Sequence, residues 1–240
     1  MKTAALACGL GAALPLHAGE ATSDFVKSNV LATLYHEFGH ALIDIQRLPV
    51  FGQEEDAADV ASILLIDAFY DEESAVALAY DTAFGFLGES ERADAEGQAP
   101  AYWDVHGPDE QRYYNLVCLF YGADPDEREA VARDLGLPEE RAETCADEFD
   151  LANASWGAVF DEMTKAAPGN TIRLGKTNGP EDVAQLLKDE VKALNEDFVL
   201  AADLTISLDS CGEANAFYDP DAREITICSE FLDDLAQLAP

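Results

Sequence analysis

Apolar residues recur at helical spacing in the first third of the chain. Between Ser23 and Leu48 they return every three to four positions, the spacing that places them on one face of a helix. Pro49, with Gly52 close behind, is typical of a helix end. The pattern therefore predicts a buried helix over these residues, with a core face formed by Phe25, Val26, Val30, Leu34, Phe38, Ala41, Leu42 and Ile45.

Helical patterns continue through the middle of the chain. A second helix is predicted from Gln53 through Tyr70, with acidic residues in its first turn, and a third after Glu72. Residues 90–108 are predicted to form a loop. Asp, Pro and Gly then mark the junctions of further helices, which we expect at 109–122, 126–135, 139–166 and 180–196.

The pattern changes near the end of the chain. Residues 204–208 and 224–228 alternate between apolar and polar, as half-buried strands do, and a turn-rich stretch with Asp219 and Pro220 separates them. We expect these two strands to form a hairpin, followed by a short last helix. The fold class predicted is α+β, dominated by helices, with a small sheet that includes this C-terminal hairpin.

The N-terminus resembles a secretory signal peptide. Lys2 precedes an apolar run from Thr3 to Leu16, and the small-residue pattern ends at Ala18. We expect residues 1–18 to be removed and residues 19–240 to form a single catalytic domain, secreted or periplasmic. A lipoprotein anchor at Cys8 is the disfavoured alternative. The run is too short to span a bilayer as a helix, so no membrane insertion is expected.

The net charge and the cysteines limit the binding partners and the cellular compartment that the sequence predicts. The formal net charge of −34 argues against binding to nucleic acid or to anionic membranes. Of the five cysteines, four remain after the signal peptide is removed, and an even number in an exported chain favours disulfides. Three pairings exist; we expect the sequence neighbours to pair, Cys118 with Cys145 and Cys211 with Cys228.

The segment His36-Glu37-Phe38-Gly39-His40 lies within the first predicted helix. Residues four apart share a helix face, so both imidazoles can reach one metal ion, and Glu37 can take a proton from a water that the metal activates. This HExxH spacing is typical of zinc hydrolases, and we predict one Zn²⁺ per chain. An ordinary helix that carries this string by chance is the alternative.

A third ligand must come from elsewhere in the chain. The long form of the motif would need a histidine at position 46, which is Gln46. Glu55 and Asp59 lie one turn apart at the start of the second helix. We expect Glu55 to bind the metal and Asp59 to accept the outer N–H of a ligand imidazole. The alternative for the acids here is a stabilised first turn, but Asp59 falls among apolar residues.

Together, HExxH and ExxxD resemble the gluzincin metallopeptidases, and two more segments resemble the neprilysin-like branch. Asp104-Val105-His106-Gly107-Pro108, followed by Arg112, is similar to a DVHxPxxxR segment. The resemblance implies that His106 stabilises the oxyanion, Asp104 orients the ring of His106, and Arg112 holds a substrate carbonyl.

Asn215-Ala216-Phe217-Tyr218 resembles the NAFY segment of the same family, whose strand binds an extended peptide through the Asn side chain and the Ala backbone. The resemblance gives Asn215 and Ala216 this role. In that family the strand precedes the HExxH helix, whereas here it follows about 175 residues later, so a circularly permuted zincin-like domain is implied. The chain is also similar to uncharacterised bacterial metallopeptidases.

These residues predict a zinc-dependent peptidase that hydrolyses peptide bonds in a peptide or protein substrate, with Glu37 as general base. Two alternatives remain open. One is a zinc amidase that acts on cell-wall peptides, and the other is an inactive zinc-containing protein that binds peptides.

Overall fold

Residues 22–240 form eight helices and four strands in a computed structural model. The expected signal peptide, residues 1–18, lies outside this described part. In chain order the elements are α1 (Asp24–Gln46), α2 (Glu54–Phe69), α3 (Glu72–Ala95), α4 (Asp109–Ala123), α5 (Glu129–Asp134), α6 (Glu139–Thr164), β1 (Ile172–Thr177), α7 (Glu181–Asp197), β2 (Leu204–Asp209), β3 (Ala216–Asp219), β4 (Glu224–Cys228) and α8 (Ser229–Leu238). The helix-dominated α+β class is confirmed.

Helix α1 is the central element of the core. The Ser23 side chain accepts a hydrogen bond from the Val26 N–H and caps the first turn. The helix ends where Arg47 adopts a left-handed conformation, before Pro49. Its predicted apolar face is buried except at Ile45, which is partly buried, and Leu34 and Phe38 have zero exposure.

The helices form one packed group around α1. Helices α2 and α3 pack directly on α1, and α4 packs on α3 and α6. A disulfide between Cys118 and Cys145 links α4 to α6, as expected from the order of the cysteines. The predicted loop at 90–108 begins later than expected, because α3 continues to Ala95.

The small sheet has the strand order β1-β2-β4-β3. Strands β1, β2 and β4 are parallel, and β3 pairs antiparallel with β4 at the edge of the sheet. The prediction that residues 204–208 and 224–228 form a hairpin is therefore wrong. These residues form β2 and β4, which pair in parallel, whereas the strands of a hairpin are antiparallel. The C-terminal hairpin that does form joins β3 to β4, and β1 was not predicted.

The sheet is held against the helices at its β3 edge. Helix α1 packs on β3 and β4, and the Tyr218 hydroxyl donates a hydrogen bond of 2.8 Å to Asp44 on α1. The second disulfide, Cys211 with Cys228, fastens the segment before β3 to the end of β4. Both disulfides fit a protein of an oxidising compartment.

Helix α8 completes the described chain. It packs on α1 and α3, and Arg92 of α3 donates to both carboxylate oxygens of Asp234, at 2.8 and 3.0 Å. Within residues 22–240 no helix combines the length and the apolar character needed to cross a bilayer.

Candidate metal centre

A glycine inside the HEFGH segment lets α1 and α2 approach closely. A side chain at Gly39 would place its Cβ only 2.9 Å from the Ala58 Cα, a contact that real structures do not allow. Because the two helices meet at Gly39 and Ala58, the first turns of α2 lie beside His36 and His40.

Both histidines of α1 direct Nε2 to the same place. The two Nε2 atoms are 3.2 Å apart. His36 is buried, and the His40 ring lies one turn further along the same face, as the four-residue spacing requires.

The Glu55 carboxylate is the point on which the histidines converge. Its Oε2 atom lies 3.2 Å from His36 Nε2, 3.1 Å from His40 Nε2 and 3.0 Å from His106 Nε2. Three imidazole nitrogens from two different segments therefore surround one oxygen of α2.

The outer nitrogens of the two α1 histidines face carboxylates. His36 Nδ1 lies 2.7 Å from Asp59, and His40 Nδ1 lies 2.9 Å from Glu54. An Nδ1–H that donates to a carboxylate leaves Nε2 with its lone pair available to bind a metal. Both rings are therefore oriented as metal ligands are.

Arg112 acts on the same network through Asp59. Its Nε and Nη2 donate to the two Asp59 oxygens, each at 2.8 Å, and its guanidinium lies over the Phe86 ring. Asp59 is thus held between Arg112 and His36, which fixes the ring orientation of His36.

His106 enters from the loop between α3 and α4. It is about half exposed, and with His36 and Glu55 it forms a group whose ligand-type atoms all lie within 4.8 Å of one another. Asp104 was expected to orient its ring, but Asp104 Oδ1 lies 3.8 Å from His106 Nδ1, too far for a hydrogen bond. Asp104 instead accepts from the Val105 backbone N–H at 2.6 Å.

The charges of this cluster favour a bound cation. Burial disfavours a charged Glu55, yet hydrogen bonds from His106, His36 and His40 outweigh it and hold its pKa well below its usual range. Burial likewise opposes charge on His36, but Asp59 and Glu55 raise its pKa to about 9. A proton and a metal ion would therefore compete for the same nitrogens.

Glu37 is a buried carboxylate beside this cluster. Burial raises its pKa, partly offset by the nearby His36 and His40 and by a backbone hydrogen bond from Tyr218 of β3. A carboxylate with a raised pKa is a better proton acceptor than an exposed one.

One cavity of about 620 Å³ joins these residues to the sheet and to α8. His36, Glu37 and His106 line it together with Asn215 and Ala216, so the edge strand β3 forms one wall. The lining also includes the apolar residues Phe231, Leu235 and Leu238 of α8.

The residues present fit a metal ion. Two imidazole nitrogens and one carboxylate oxygen are the donor set of catalytic zinc sites, in which a fourth position stays free. The carboxylates behind both histidines supply the outer hydrogen bonds that such sites need.

A comparison of the sequence with protein-family models decides the family. The model described as "Putative metallopeptidase" matches residues 13–160 and 181–239, most of the chain. The chain belongs to this metallopeptidase family. Comparisons with curated proteins and with solved structures gave no match.

In this member of the family the structure brings together His36, Glu37, His40, Glu55, Asp59, His106 and Arg112. Of these, His36, Glu37, Asp59, His106 and Arg112 line the same cavity as Asn215 and Ala216. Sequence reasoning missed Glu54 as the partner of His40 and Gly39 as the contact between the helices. Glu54 could have been suspected because it directly precedes Glu55, the residue expected to bind the metal together with His40. Gly39 could have been noticed because glycine is unfavourable inside a helix.

Proposed function

We propose that the protein is a zinc-dependent peptidase that hydrolyses peptide bonds with Glu37 as general base. The observation that carries the proposal is the convergence of His36, His40 and Glu55 beside the buried Glu37, at the wall of one cavity. Membership of the metallopeptidase family supports it.

His36, His40 and Glu55 would hold the zinc ion, with Asp59 and Glu54 orienting the two rings. Nitrogen and oxygen donors of this kind suit Zn²⁺. When bound, zinc supplies Lewis acidity toward a water molecule and toward the scissile carbonyl.

Glu37 would move the protons of the reaction. Its carboxylate accepts a proton from the attacking water and passes that proton to the leaving amine, so that the amine departs neutral. Burial keeps the carboxylate basic enough to accept, and the hydrogen bond from Tyr218 keeps it oriented.

The edge strand β3 would bind the substrate backbone. Its outer edge is free of a neighbouring strand within the sheet, and Asn215 and Ala216 line the cavity beside Glu37. An extended peptide can add to such an edge through main-chain hydrogen bonds.

His106 would donate to the oxyanion. Arg112 keeps Nη1 for a substrate carbonyl while Nε and Nη2 hold Asp59.

The mature protein would be residues 19–240, a single catalytic domain exported through the signal peptide. Two disulfides within residues 22–240 support an oxidising destination, either outside the cell or in the periplasm.

The test begins with metal content and peptide hydrolysis of purified mature protein. We expect one zinc per chain in the wild type, none in Glu55→Ala, and full zinc but no turnover in Glu37→Gln. Zinc without hydrolysis of any peptide or muropeptide would favour the inactive binding protein, and hydrolysis confined to muropeptides would favour the amidase. No zinc in the wild type would contradict the proposal.

His106→Phe separates two roles for His106. As an oxyanion donor, its loss should lower kcat by about two to three powers of ten and leave the zinc content unchanged. A weaker zinc affinity in this variant would instead identify His106 as a further ligand, in agreement with its 3.0 Å distance from Glu55.

A further inference from the structure

The exposed apolar side chains of the protein are concentrated around the cavity. In residues 22–240 six large hydrophobic side chains are strongly exposed, among them Phe51 at 98%, Tyr102 at 82% and Trp103 at 86%. Exposed aromatic residues that cluster mark a binding surface more often than single ones do. We call this set the apolar rim; it comprises Phe51, Tyr102, Trp103, Val105, Leu151 and Phe217.

Four of the six members of the apolar rim belong to segments that line the cavity, since Leu151 is itself a lining residue and Tyr102, Trp103 and Val105 belong to the loop of His106. Leu151 lines it directly, Phe217 follows the lining residue Ala216, and Val105 precedes the lining residue His106. Trp103 is three residues from His106, so their Cα atoms are at most about 11 Å apart. Phe51 lies three residues before Glu54, which bonds His40.

The loop that carries three of the six members of the apolar rim has two backbone hydrogen bonds. The Tyr102 N–H donates to the Pro100 carbonyl at 3.1 Å, and the Asp104 N–H donates to the Ala101 carbonyl at 2.8 Å. These turns hold Tyr102 and Trp103 in the solvent while His106 reaches Glu55. An aromatic pair presented in this way loses little conformational entropy on binding.

The charge of the cavity indicates what binds there. Its lining includes six carboxylates and two arginines, and both arginines are already paired, Arg112 with Asp59 and Arg141 with Glu148. A divalent ion bound with Glu55 would still leave the cavity negative. The carboxylates are Glu37, Asp56, Asp59, Glu89, Asp109 and Glu148.

Charge also argues against three other occupants. A second copy of the chain would bring a further net charge of −34, and an anionic bilayer would be repelled in the same way. A substrate with a free carboxyl terminus would bring another negative charge to a lining in which carboxylates outnumber arginines. A cationic segment meets none of these obstacles and can also stack on the aromatic residues.

We propose that the apolar rim docks a cationic, apolar stretch of a polypeptide substrate, so that the enzyme cleaves within long basic chains. This rests on the proposed peptidase function, because the docked chain would continue along β3 to Glu37. The substrate class is thus a polypeptide that alternates lysine or arginine with large apolar residues.

Binding of synthetic peptides to zinc-loaded Glu37→Gln protein tests this without turnover. The probe is a twelve-residue peptide of alternating Leu and Lys; the matched peptides replace Lys by Glu or Leu by Ser. We expect calorimetry to give a Kd at least about tenfold lower for the Leu-Lys peptide than for either matched peptide. Equal affinity for the Leu-Glu peptide would overturn the proposal.

Variants of the apolar rim locate the binding. Tyr102→Ser with Trp103→Ser should raise the Kd of the Leu-Lys peptide about tenfold, whereas Tyr102→Phe with Trp103→Phe should restore it. In a Trp156→Phe background Trp103 is the remaining tryptophan, and its emission should shift to shorter wavelength when the peptide binds. An unchanged Kd in the serine variant would contradict the assignment.

Other outcomes separate this inference from the proposed function. Hydrolysis by the wild type with no preference for basic apolar peptides would leave the peptidase standing and refute the inference. Selective binding by a wild type that hydrolyses nothing would refute the peptidase, and with it the cleavage of basic chains, and would leave only the docking of basic apolar peptides standing. A dimer that Trp103→Ser dissociates, or tight binding to neutral phosphatidylcholine vesicles, would assign the apolar rim to a second copy or to a lipid surface.

Discussion

Gly39 determines how close the second helix comes to His36 and His40, the proposed metal ligands of α1. The residue stands between Glu37 and His40 and contacts Ala58 across the helix interface. Any side chain here must push back a neighbouring main chain, because the nearest atom is a backbone Cα. Glu55 and Asp59 belong to the same helix as Ala58. A small displacement at this contact would therefore also move their carboxylates relative to His36 and His40.

Gly39→Ala is therefore expected to weaken zinc binding and to reduce stability. The better helix propensity of alanine gains about 1 kcal/mol, while forcing a methyl group into the contact costs about 1–3 kcal/mol. We expect a net loss of about 1 kcal/mol in the free energy of unfolding and a zinc Kd about tenfold higher. Urea titration and a competing chelator would measure the two effects.

Gly52→Ala is the matched control, because a Cβ at Gly52 meets nothing within 4 Å. It should leave both quantities unchanged. Zinc affinity of wild-type strength in Gly39→Ala would contradict the role given to the glycine.

For single residues, the sequence predicted the contacts that follow from the geometry of one helix. The spacing of His36 and His40 and that of Glu55 and Asp59 are local, so a shared face follows from the helical repeat. Partners from distant segments could not be predicted in the same way. That Arg112 bonds Asp59, or that Asp104 turns to its own loop backbone, depends on how α4 packs.

Helix α8 depends on an acidic residue in its first turn. Glu230 accepts hydrogen bonds from the Ser210 hydroxyl and from the backbone N–H groups of Cys211 and Gly212. The bond from Ser210, followed by those from the backbone, lowers the pKa of Glu230 from 4.5 to about 2. This carboxylate therefore joins the start of α8 to the segment before β3, beside the disulfide between Cys211 and Cys228.

Glu230→Gln should lower Tm in a manner that depends on pH. The folded pKa is below the unfolded one, so the stabilisation is complete above pH 4.5 and is lost as the pH falls toward 2. Wild type should therefore exceed Glu230→Gln in Tm at pH 7, and the gap should close on acidification. Thermal unfolding followed by circular dichroism would measure it, with Glu213→Gln on the same loop as control. A gap that widens at low pH would be inconsistent with this bond.

Element boundaries followed well from the sequence, but strand partners did not. The alternation at 204–208 and 224–228 identified β2 and β4, yet alternation carries no information on which strand lies alongside. Between β2 and β4 the chain forms the edge strand β3, which pairs antiparallel with β4, so β4 runs parallel to β2; the crossover through α7 connects β1 to β2. Strand β1, with Gly175 and Lys176 inside it, lacks a clear apolar pattern and was not predicted.

The whole molecule is strongly self-repelling. With 48 acidic residues against 14 basic ones, the folded state concentrates negative charge that the unfolded chain spreads out. Ion pairs such as that of Arg128 with Asp67 and Glu72 counter the repulsion locally. Most of the acidic side chains have no such partner because the bases are too few.

Added salt should therefore stabilise the fold. Raising NaCl from about 10 mM to about 0.5 M shortens the Debye length from about 30 Å to less than 8 Å and screens the repulsion. We expect Tm at pH 7 to rise by several degrees, measured by calorimetry. At pH 5, where part of the carboxylates are protonated, the rise should be smaller. A Tm that falls with salt at pH 7 would mean that attractive pairs dominate.

The last quarter of the given sequence supplies part of the lining of the cavity. The proposed catalytic residues of the same cavity come from α1, near the beginning of the described residues. Asn215, Ala216 and the α8 residues Phe231 and Leu235 line the same cavity as His36 and Glu37 of the first helix. During synthesis the HExxH helix leaves the ribosome long before these residues are made. If the protein is the peptidase proposed above, the nascent chain would have its chemical groups without its substrate-binding residues, and it would become competent to cut only after β3 and α8 dock. The order of the elements along the chain would then delay the onset of proteolysis until α8 has been made.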